Sequence, residues 1–254
     1  MEPVYTPVVG LALAMCKAMG WRVHGEGARH IPSEGPAVIA TNHVGYLDFV
    51  FVGYAARPAG RLVRFLAKKE VFDHPVAGPL MRGMRHIPVD RRGRPTAALQ
   101  AAADALRAGE VVGMFPESTI SPSFVPMPGK NGAARMAMAA GAPLVPGAVW
   151  GSQRLLTKGR PRNLQRGVAI TVRFGEAVPY EASEHPSAVT DRLMAAVGAL
   201  VDRAAREYPQ RPSGPDDRWW LPAHLDGTAP TPEQVRRELA EQIRRRREER
   251  RRAR

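Results

Sequence analysis

Short apolar runs alternate along most of the chain with longer segments of helical periodicity. Five of these runs have the length of buried strands: 36–41, 62–67, 111–115, 144–150 and 168–174. Shorter strands are predicted to begin at 21 and 86, and helices are predicted at 49–56, 74–81, 96–108, 130–140 and 187–207. Strands that alternate with helices indicate an α/β fold with a mixed, largely parallel central sheet flanked by helices.

A helix is also predicted at residues 7–19, since Pro7 suits its first position and Gly20 its end. The apolar segment is shorter than the roughly 20 residues that span a bilayer. Only Glu2 precedes it as a charged residue, which argues against a secretory signal peptide. A retained helix of this kind either lies in the membrane interface or packs on the domain, and any membrane contact is expected to be peripheral.

The chain divides by composition into three parts: an N-terminal helix (1–20), a main domain (21–208) and a C-terminal segment (209–254). The last part begins with a proline-rich stretch that contains Trp219 and Trp220. Paired tryptophans either anchor a protein at a membrane interface or pack over the domain surface, and we favour packing. From Gln242 onward, the arginine-rich end is expected to be a solvated helix or a frayed tail.

The formal net charge is +13, and two stretches supply most of it. Residues 57–94 contain ten basic and three acidic residues, and residues 233–254 contain ten arginines and five glutamates. This balance suggests an anionic partner: nucleic acid, an anionic membrane surface or a phosphorylated substrate. Nucleic acid is disfavoured because the basic runs carry no interleaved aromatic residues and no recognition motif. The single cysteine, Cys16, excludes an intramolecular disulfide and a cysteine zinc cluster, and no metal site is predicted.

Candidate chemistry starts at the polar stretch that follows the predicted strand 36–41. His43 and Asp48 lie five residues apart there, with Gly45 where a sharp turn would bring them together. A histidine held in one tautomer by a carboxylate is a general base. The alternative is that His43 caps a turn and Asp48 caps a helix.

Other chemically capable residues also lie at or just after the ends of predicted strands. In a parallel sheet these ends meet at one edge, where ligands bind. The residues expected to share one cleft are His43, Lys68, Arg91, Glu117 and Pro146.

Four segments in order resemble the four sequence blocks of the glycerolipid acyltransferase family, the bacterial 1-acylglycerol-3-phosphate acyltransferase group in particular. The resemblance covers roughly residues 20–180. The segments are Asn42-His43-x4-Asp48, Gly83-x-x-His86-Ile87-Pro88-Val89-Asp90-Arg91, Phe115-Pro116-Glu117-Ser118-Thr119 and Val145-Pro146-x4-Gly151.

The resemblance implies transfer of a fatty acyl group from acyl-CoA or acyl carrier protein to the free hydroxyl of lysophosphatidate. It assigns His43 as general base and Asp48 as its orienting partner, with no covalent enzyme intermediate and no cofactor. The absence of a Gly-x-Ser-x-Gly elbow agrees with this. Glycerol 3-phosphate, another lysophospholipid or a glycolipid are alternative acceptors. Backbone N–H groups near the turn are the expected donors to the oxyanion.

The same resemblance implies roles in substrate binding. Arg91 is expected to bind phosphate as a bidentate guanidinium, with Lys68 adding positive potential. Glu117 is expected to bind a glycerol hydroxyl or to hold Arg91. Asn42, Ser118 and Thr119 are the remaining substrate-binding candidates, and Pro146 and Gly151 are expected to shape the acyl pocket.

Two positions depart from the family pattern in the third block. Ser118 stands where the family has glycine, and Ile120 stands where it has arginine. Losing that arginine removes one candidate anion contact and keeps the alternative acceptors open. For location, the resemblance implies the cytoplasmic face of the cell membrane, with the N-terminal helix and the arginine tail holding a peripheral or monotopic enzyme on an anionic bilayer.

Overall fold

The computed structural model describes residues 3–90, 95–163 and 165–252. Within them, one sheet is formed by β1 (Arg22–Glu26), β2 (Ala37–Thr41), β3 (Val63–Lys68), β4 (Ile87–Val89), β5 (Val111–Met114), β6 (Leu144–Trp150) and β7 (Ala169–Phe174). The α-helices are α1 (Tyr5–Ala18), α2 (Asp48–Ala55), α3 (Lys69–Phe72), α4 (Ala77–Gly83), α5 (Pro95–Arg107), α6 (Gly132–Ala140), α7 (Pro186–Arg206) and α8 (Pro232–Arg252).

The sheet has the strand order β1-β7-β6-β2-β5-β3-β4. The five strands from β6 to β4 run parallel, whereas β7 runs antiparallel to β6 and parallel to β1. The predicted α/β fold is therefore confirmed. Because β2, β5, β3 and β4 are parallel neighbours, their C-terminal ends lie at one edge of the sheet, and the chain leaves this edge at residues 42, 115, 69 and 90.

The central strands are buried along their whole length. All five residues of β2 and all seven of β6 are buried. Parallel strands that helices cover on both faces have continuous apolar sequences. The central strands could therefore be predicted from the apolar runs in the sequence. Helix α7 packs on β6, and its residues Leu193 and Val197 join the core.

Helix α1 packs on the domain with one face and leaves another apolar face exposed. Tyr5 is buried with Phe72 and Met81, and its hydroxyl donates to the backbone oxygen of Val63 over 3.2 Å. By contrast, Leu11 is 71% exposed. The packing alternative for this helix is thus confirmed, and its membrane contact stays a prediction. In the described part of the chain, no helix has both the length and the apolar character needed to cross a bilayer.

The C-terminal segment packs against the main domain. Trp220 is fully buried in the same core as the strands, with its ring 5.4 Å from that of Tyr208. Trp219 lies edge-on to Phe124, at 6.4 Å between ring centroids. The prediction that the paired tryptophans pack over the domain is confirmed.

Two helices begin three or more residues away from their predicted starts. Helix α8 begins at Pro232 rather than near Gln242, because Thr231 and Gln234 form a reciprocal capping box: the N–H of Thr231 donates to the Gln234 side chain at 2.7 Å, and the N–H of Gln234 donates to the Thr231 hydroxyl at 3.2 Å. The helix predicted at 74–81 begins later, at Ala77, because the imidazole Nδ1 of His74 accepts the N–H groups that open it.

Candidate active site

His43 and Asp48 lie at the junction between β2 and α2 and contact each other directly. The imidazole Nδ1 of His43 is 2.9 Å from the carboxylate Oδ2 of Asp48. Asp48 is fully buried, and the His43 side chain is 20% exposed. With the proton of the neutral ring on Nδ1, the other nitrogen, Nε2, is left as a free base.

The same Asp48 oxygen also holds the turn. It accepts the backbone N–H groups of Val44 and Gly45 at 2.8 and 2.9 Å. The carboxylate thus shapes the turn that precedes α2, but it does not cap that helix, which has no side-chain cap, so the capping alternative for Asp48 is wrong. Gly45 lies in a confined place: a Cβ there would lie 3.0 Å from the backbone oxygen of Ser152, which would have to move by a few tenths of an ångström.

The imidazole ring of His43 lies flat against Phe115. The two ring centroids are 4.2 Å apart and the planes differ by 16°. Phe115 directly follows β5 and stacks in turn over Phe65 of β3, at 6.0 Å. The plane of the His43 ring is thus set by Phe115, and Phe65 supports Phe115 from the other side.

Glu117 bridges two backbone segments. Its Oε1 accepts the N–H of His43 and its Oε2 accepts the N–H of Met127, each at 2.8 Å. The residue is 5% exposed, and burial raises the pKa of Glu117 to about 8. The two N–H donors oppose this shift and the nearby Asp48 charge adds to it. The Glu117 carboxylate thus joins the histidine turn to the segment at Met127. Its contact with a glycerol hydroxyl stays a prediction, as does its contact with Arg91, which lies outside the described residues.

Ser118 and Ile120, the two departures from the family pattern, lie in different environments. Ser118 has φ +60°, in the left-handed region, where a residue with a side chain costs about 1–2 kcal/mol relative to glycine. This accounts for the glycine of the family pattern. Ile120 is buried, so its position packs in the core. Thr119 lies between them and is half-buried.

The expectation that backbone N–H groups of the turn serve the oxyanion is not met for residues 43 to 46. The N–H of His43 is taken by Glu117, and those of Val44 and Gly45 are taken by Asp48. The next N–H, of Tyr46, donates to the backbone oxygen of Leu156 at 2.9 Å. These groups build the turn and are occupied before substrate arrives.

Asn42 cross-links two strands. Its side-chain amide donates to the backbone oxygen of Val149 and accepts the N–H of the same residue, at 3.0 and 2.8 Å. Asn42 is buried with both polar atoms satisfied in this way. It fixes the end of β2 against β6, and its contact with substrate stays a prediction.

The predicted phosphate-binding residues lie at the ends of β3 and β4. Lys68 is exposed at the last position of β3, in register with Val89. Arg91 lies outside the described residues, two positions beyond the end of β4. A cavity of about 420 Å³ lies beside these strand ends, lined by Lys69, Phe72, Asp73, Arg82, Pro88, Asp90, Ala97 and Ala98.

Pro146 and Gly151 differ in their relation to the site. Pro146 is the third residue of β6, buried and in register with Ala40, so it does not lie at a strand end as expected. Gly151 follows β6 with φ +95°, and a Cβ there would lie 2.2 Å from the backbone oxygen of Ala169. Gly151 therefore turns the chain so that Ser152 reaches Asp48. A role of either residue in an acyl pocket stays a prediction.

The segment that follows Gly151 also contributes to the site, although the sequence analysis did not predict this. Ser152 donates its hydroxyl to Oδ1 of Asp48, and Thr157 donates its hydroxyl to the backbone oxygen of Val44 at 2.7 Å. The only available signal for Ser152 was its position directly after the fourth block.

Comparison with known proteins gives a consistent result. The model of the Acyltransferase family matches residues 22–150. A 1-acyl-sn-glycerol-3-phosphate acyltransferase of Bacillus subtilis is 32% identical over 134 residues, which cover 52% of this chain and 65% of that protein. One of Limnanthes alba is 33% identical over 153 residues, covering 59% of this chain and 52% of that protein. The matched part of this chain thus spans less than two thirds of either relative.

A solved structure shares the fold. The 1-acyl-sn-glycerophosphate (LPA) acyltransferase of Thermotoga maritima superposes with a TM-score of 0.66, covering 81% of each chain at 21% sequence identity.

The buried carboxyl of Glu117 predicts a distinct dependence of stability on pH. Its folded pKa of about 8 lies above the ordinary value of 4.5. The carboxyl therefore contributes its full stability below pH 4.5, and this contribution is lost as the pH rises through 8. Relative to Glu117→Gln, the wild type should lose about 1.4 kcal/mol of unfolding free energy per pH unit between these values. Urea denaturation of both proteins at pH 5.5, 6.5 and 7.5 measures this, and a constant difference between them would contradict it.

Proposed function

This chain belongs to the Acyltransferase family, and from that premise we propose that it transfers a fatty acyl group from an acyl thioester to the free hydroxyl of lysophosphatidate. The observation that carries the proposal is the 2.9 Å contact between His43 and the buried Asp48, which involves Nδ1 and leaves Nε2 without a hydrogen bond to any of the described residues. The 1-acyl-sn-glycerol-3-phosphate acyltransferases of Bacillus subtilis and Limnanthes alba that this chain resembles support lysophosphatidate as the acceptor.

The reaction needs one general base and no covalent intermediate. Nε2 of His43 removes the proton of the acceptor hydroxyl while its oxygen attacks the thioester carbonyl. The C–S bond of the resulting tetrahedral adduct then breaks, and the imidazolium gives its proton to the leaving thiolate, which restores the neutral imidazole. Asp48 stabilises that imidazolium, as an orienting carboxylate does in a hydrolase triad.

The stacked Phe115 ring limits rotation of the imidazole, so Nε2 keeps one orientation relative to the acceptor hydroxyl.

For the oxyanion we assign a donor on the segment 118–120. This segment lies between two residues that contact His43: Phe115 stacks on its ring, and the N–H of Ser121 donates to its backbone oxygen at 2.9 Å. Ser118 and Thr119 both carry hydroxyls in that segment; the Ser118 hydroxyl donates to the backbone oxygen of Pro116 at 3.4 Å, and we assign the Thr119 hydroxyl as the side-chain donor to the oxyanion.

The donor is acyl-CoA or an acylated carrier protein, and no other cofactor takes part. The basic strand ends around Lys68 attract the phosphate of the acceptor, with Arg91 as its bidentate ligand. Glycerol 3-phosphate, another lysophospholipid or a glycolipid is the second acceptor class, favoured by Ile120, which supplies no charge where the family pattern has arginine.

Substitution of the histidine tests the mechanism. Because a positioned general base contributes about 100- to 10,000-fold, we expect His43→Ala to reduce kcat by that factor. The measurement is thiol release from acyl-CoA in the presence of lysophosphatidate. His24→Ala is a matched control, since His24 also pairs with a carboxylate, Glu26 at 3.0 Å, on the protein surface.

A panel of acceptors, analysed by mass spectrometry of the acylated product, tests the substrate. Lysophosphatidate should give the highest kcat/KM. If His43→Ala turns over as fast as the wild type, the mechanism is wrong, and if another acceptor exceeds lysophosphatidate, the assigned acceptor is wrong.

We further propose that the protein works at the cytoplasmic face of the cell membrane, bound to anionic lipid. Helix α8 supports this, because Leu239 and Ile243 lie one turn apart and are 48% and 46% exposed. Arg244 and Arg245 follow them directly and are exposed. An apolar stripe flanked by arginines is the composition of a helix that lies in the plane of a membrane surface. The exposed Leu11 of α1 offers a second apolar contact.

Vesicle binding tests this placement. Each arginine near an anionic surface contributes about 1 kcal/mol, so Arg244→Gln with Arg245→Gln should weaken binding to vesicles containing phosphatidylserine by about 30-fold. The matched control changes two exposed arginines of α7, Arg203→Gln with Arg206→Gln, each of which is paired with an acidic residue. Equal binding of the wild type to anionic and purely zwitterionic vesicles in a sedimentation assay would contradict the proposal.

A further inference from the structure

The second carboxylate oxygen of Asp48 has a dedicated donor from a distant part of the chain. Oδ2 is shared by His43 and the two N–H groups of the turn, whereas Oδ1 accepts the hydroxyl of Ser152, 104 residues away in sequence. Both Asp48 and Ser152 are fully buried. The χ2 torsion of aspartate has a broad distribution, so a carboxylate that is hydrogen-bonded at only one oxygen could still rotate about it. The hydrogen bond from Ser152 to the second oxygen prevents this rotation.

The position of Ser152 is built by its neighbours. Gly151, in the left-handed region, turns the chain out of β6, and Ser152 opens a short 3-10 helix, Ser152–Arg154. Beyond it, Leu156 accepts the N–H of Tyr46, and Thr157 donates to the backbone oxygen of Val44. Residues 152–157 thus run along the histidine turn and contact it at three points, counting the bond to Asp48.

The C-terminal segment supports this run from behind. The guanidinium of Arg154 lies 4.5 Å from the ring centroid of the buried Trp220 and donates to the side chain of Gln210 at 2.9 Å. Gln153 donates to the backbone oxygen of Trp220 at 3.3 Å. The residues that flank Ser152 are therefore anchored in the core, and its hydroxyl is held where Asp48 needs it.

We propose that Ser152 is a positioning residue for the acyl-transfer reaction, fixing the Asp48 carboxylate so that Oδ2 stays on Nδ1 of His43. The inference rests on the proposed function, because it acts through the general base assigned there. Ser152 touches neither substrate nor the reacting atoms. Its effect is to keep the neutral imidazole in the tautomer whose Nε2 is free.

The test is Ser152→Ala, measured by steady-state kinetics and by ¹⁵N NMR of the His43 ring. Loss of a hydrogen bond to a charged group should reduce kcat by about 10- to 100-fold. The KM for lysophosphatidate should change by less than about twofold, because Ser152 is fully buried and its hydroxyl is bonded to Asp48. The ring nitrogen shifts should show a mixture of the two neutral tautomers in place of one.

Two further variants complete the experiment. Thr190→Val removes another buried hydroxyl, which donates to the backbone oxygen of Pro186 at 2.8 Å in α7, and should leave kcat unchanged. Ser152→Cys keeps a weaker donor at the same atom and should give a kcat between those of the wild type and Ser152→Ala. It also provides the measurement if the alanine variant does not fold.

The outcomes separate the inference from the proposed function. A Ser152→Ala enzyme with the kcat and the tautomer of the wild type overturns the inference, as does a fall in kcat with an unchanged tautomer. If instead His43→Ala retains full activity, the proposed function fails. The NMR measurement on Ser152 variants still tests the contact itself in that case, because it does not depend on activity.

Discussion

The buried carboxylate of Asp48 is the contact on which the rest of the site depends. Four donors converge on it: the imidazole of His43, the N–H groups of Val44 and Gly45, and the hydroxyl of Ser152. An ionised group without water must be compensated by hydrogen bonds, and these donors come from the turn and from the segment after β6. One charge therefore defines the turn, orients the base and ties two distant parts of the chain together.

The parallel sheet explains why such a site forms at this edge. Strands β2, β5 and β6 are adjacent, so the residues that follow them are neighbours although they are far apart in sequence. Asp48 binds the segment after β6, and the backbone of His43 binds the Glu117 carboxyl after β5. The amide of Asn42 then joins β2 to β6 directly. The base is held from both sides before any substrate binds.

Much of the fold could be predicted from the sequence, because buried parallel strands are continuous apolar runs that end in recognisable turns. The His43–Asp48 contact was predictable for a similar reason, since five residues that include a glycine can close such a turn. The clamping role of Glu117 was not, because its partners are backbone N–H groups, which every residue except proline carries. Ser152 was missed because a serine after a glycine is common, and only the tertiary fold brings it to Asp48.

The central claim is that Asp48 holds the proton of the neutral imidazole on Nδ1 and leaves Nε2 free to act as the base. The most direct test is the ¹⁵N NMR spectrum of the neutral His43 ring in the full-length wild-type protein. We expect a protonated Nδ1 and an unprotonated Nε2. A ring protonated at Nε2 would contradict the claim, because the basic lone pair of that tautomer is on Nδ1, which faces Asp48 rather than the acceptor.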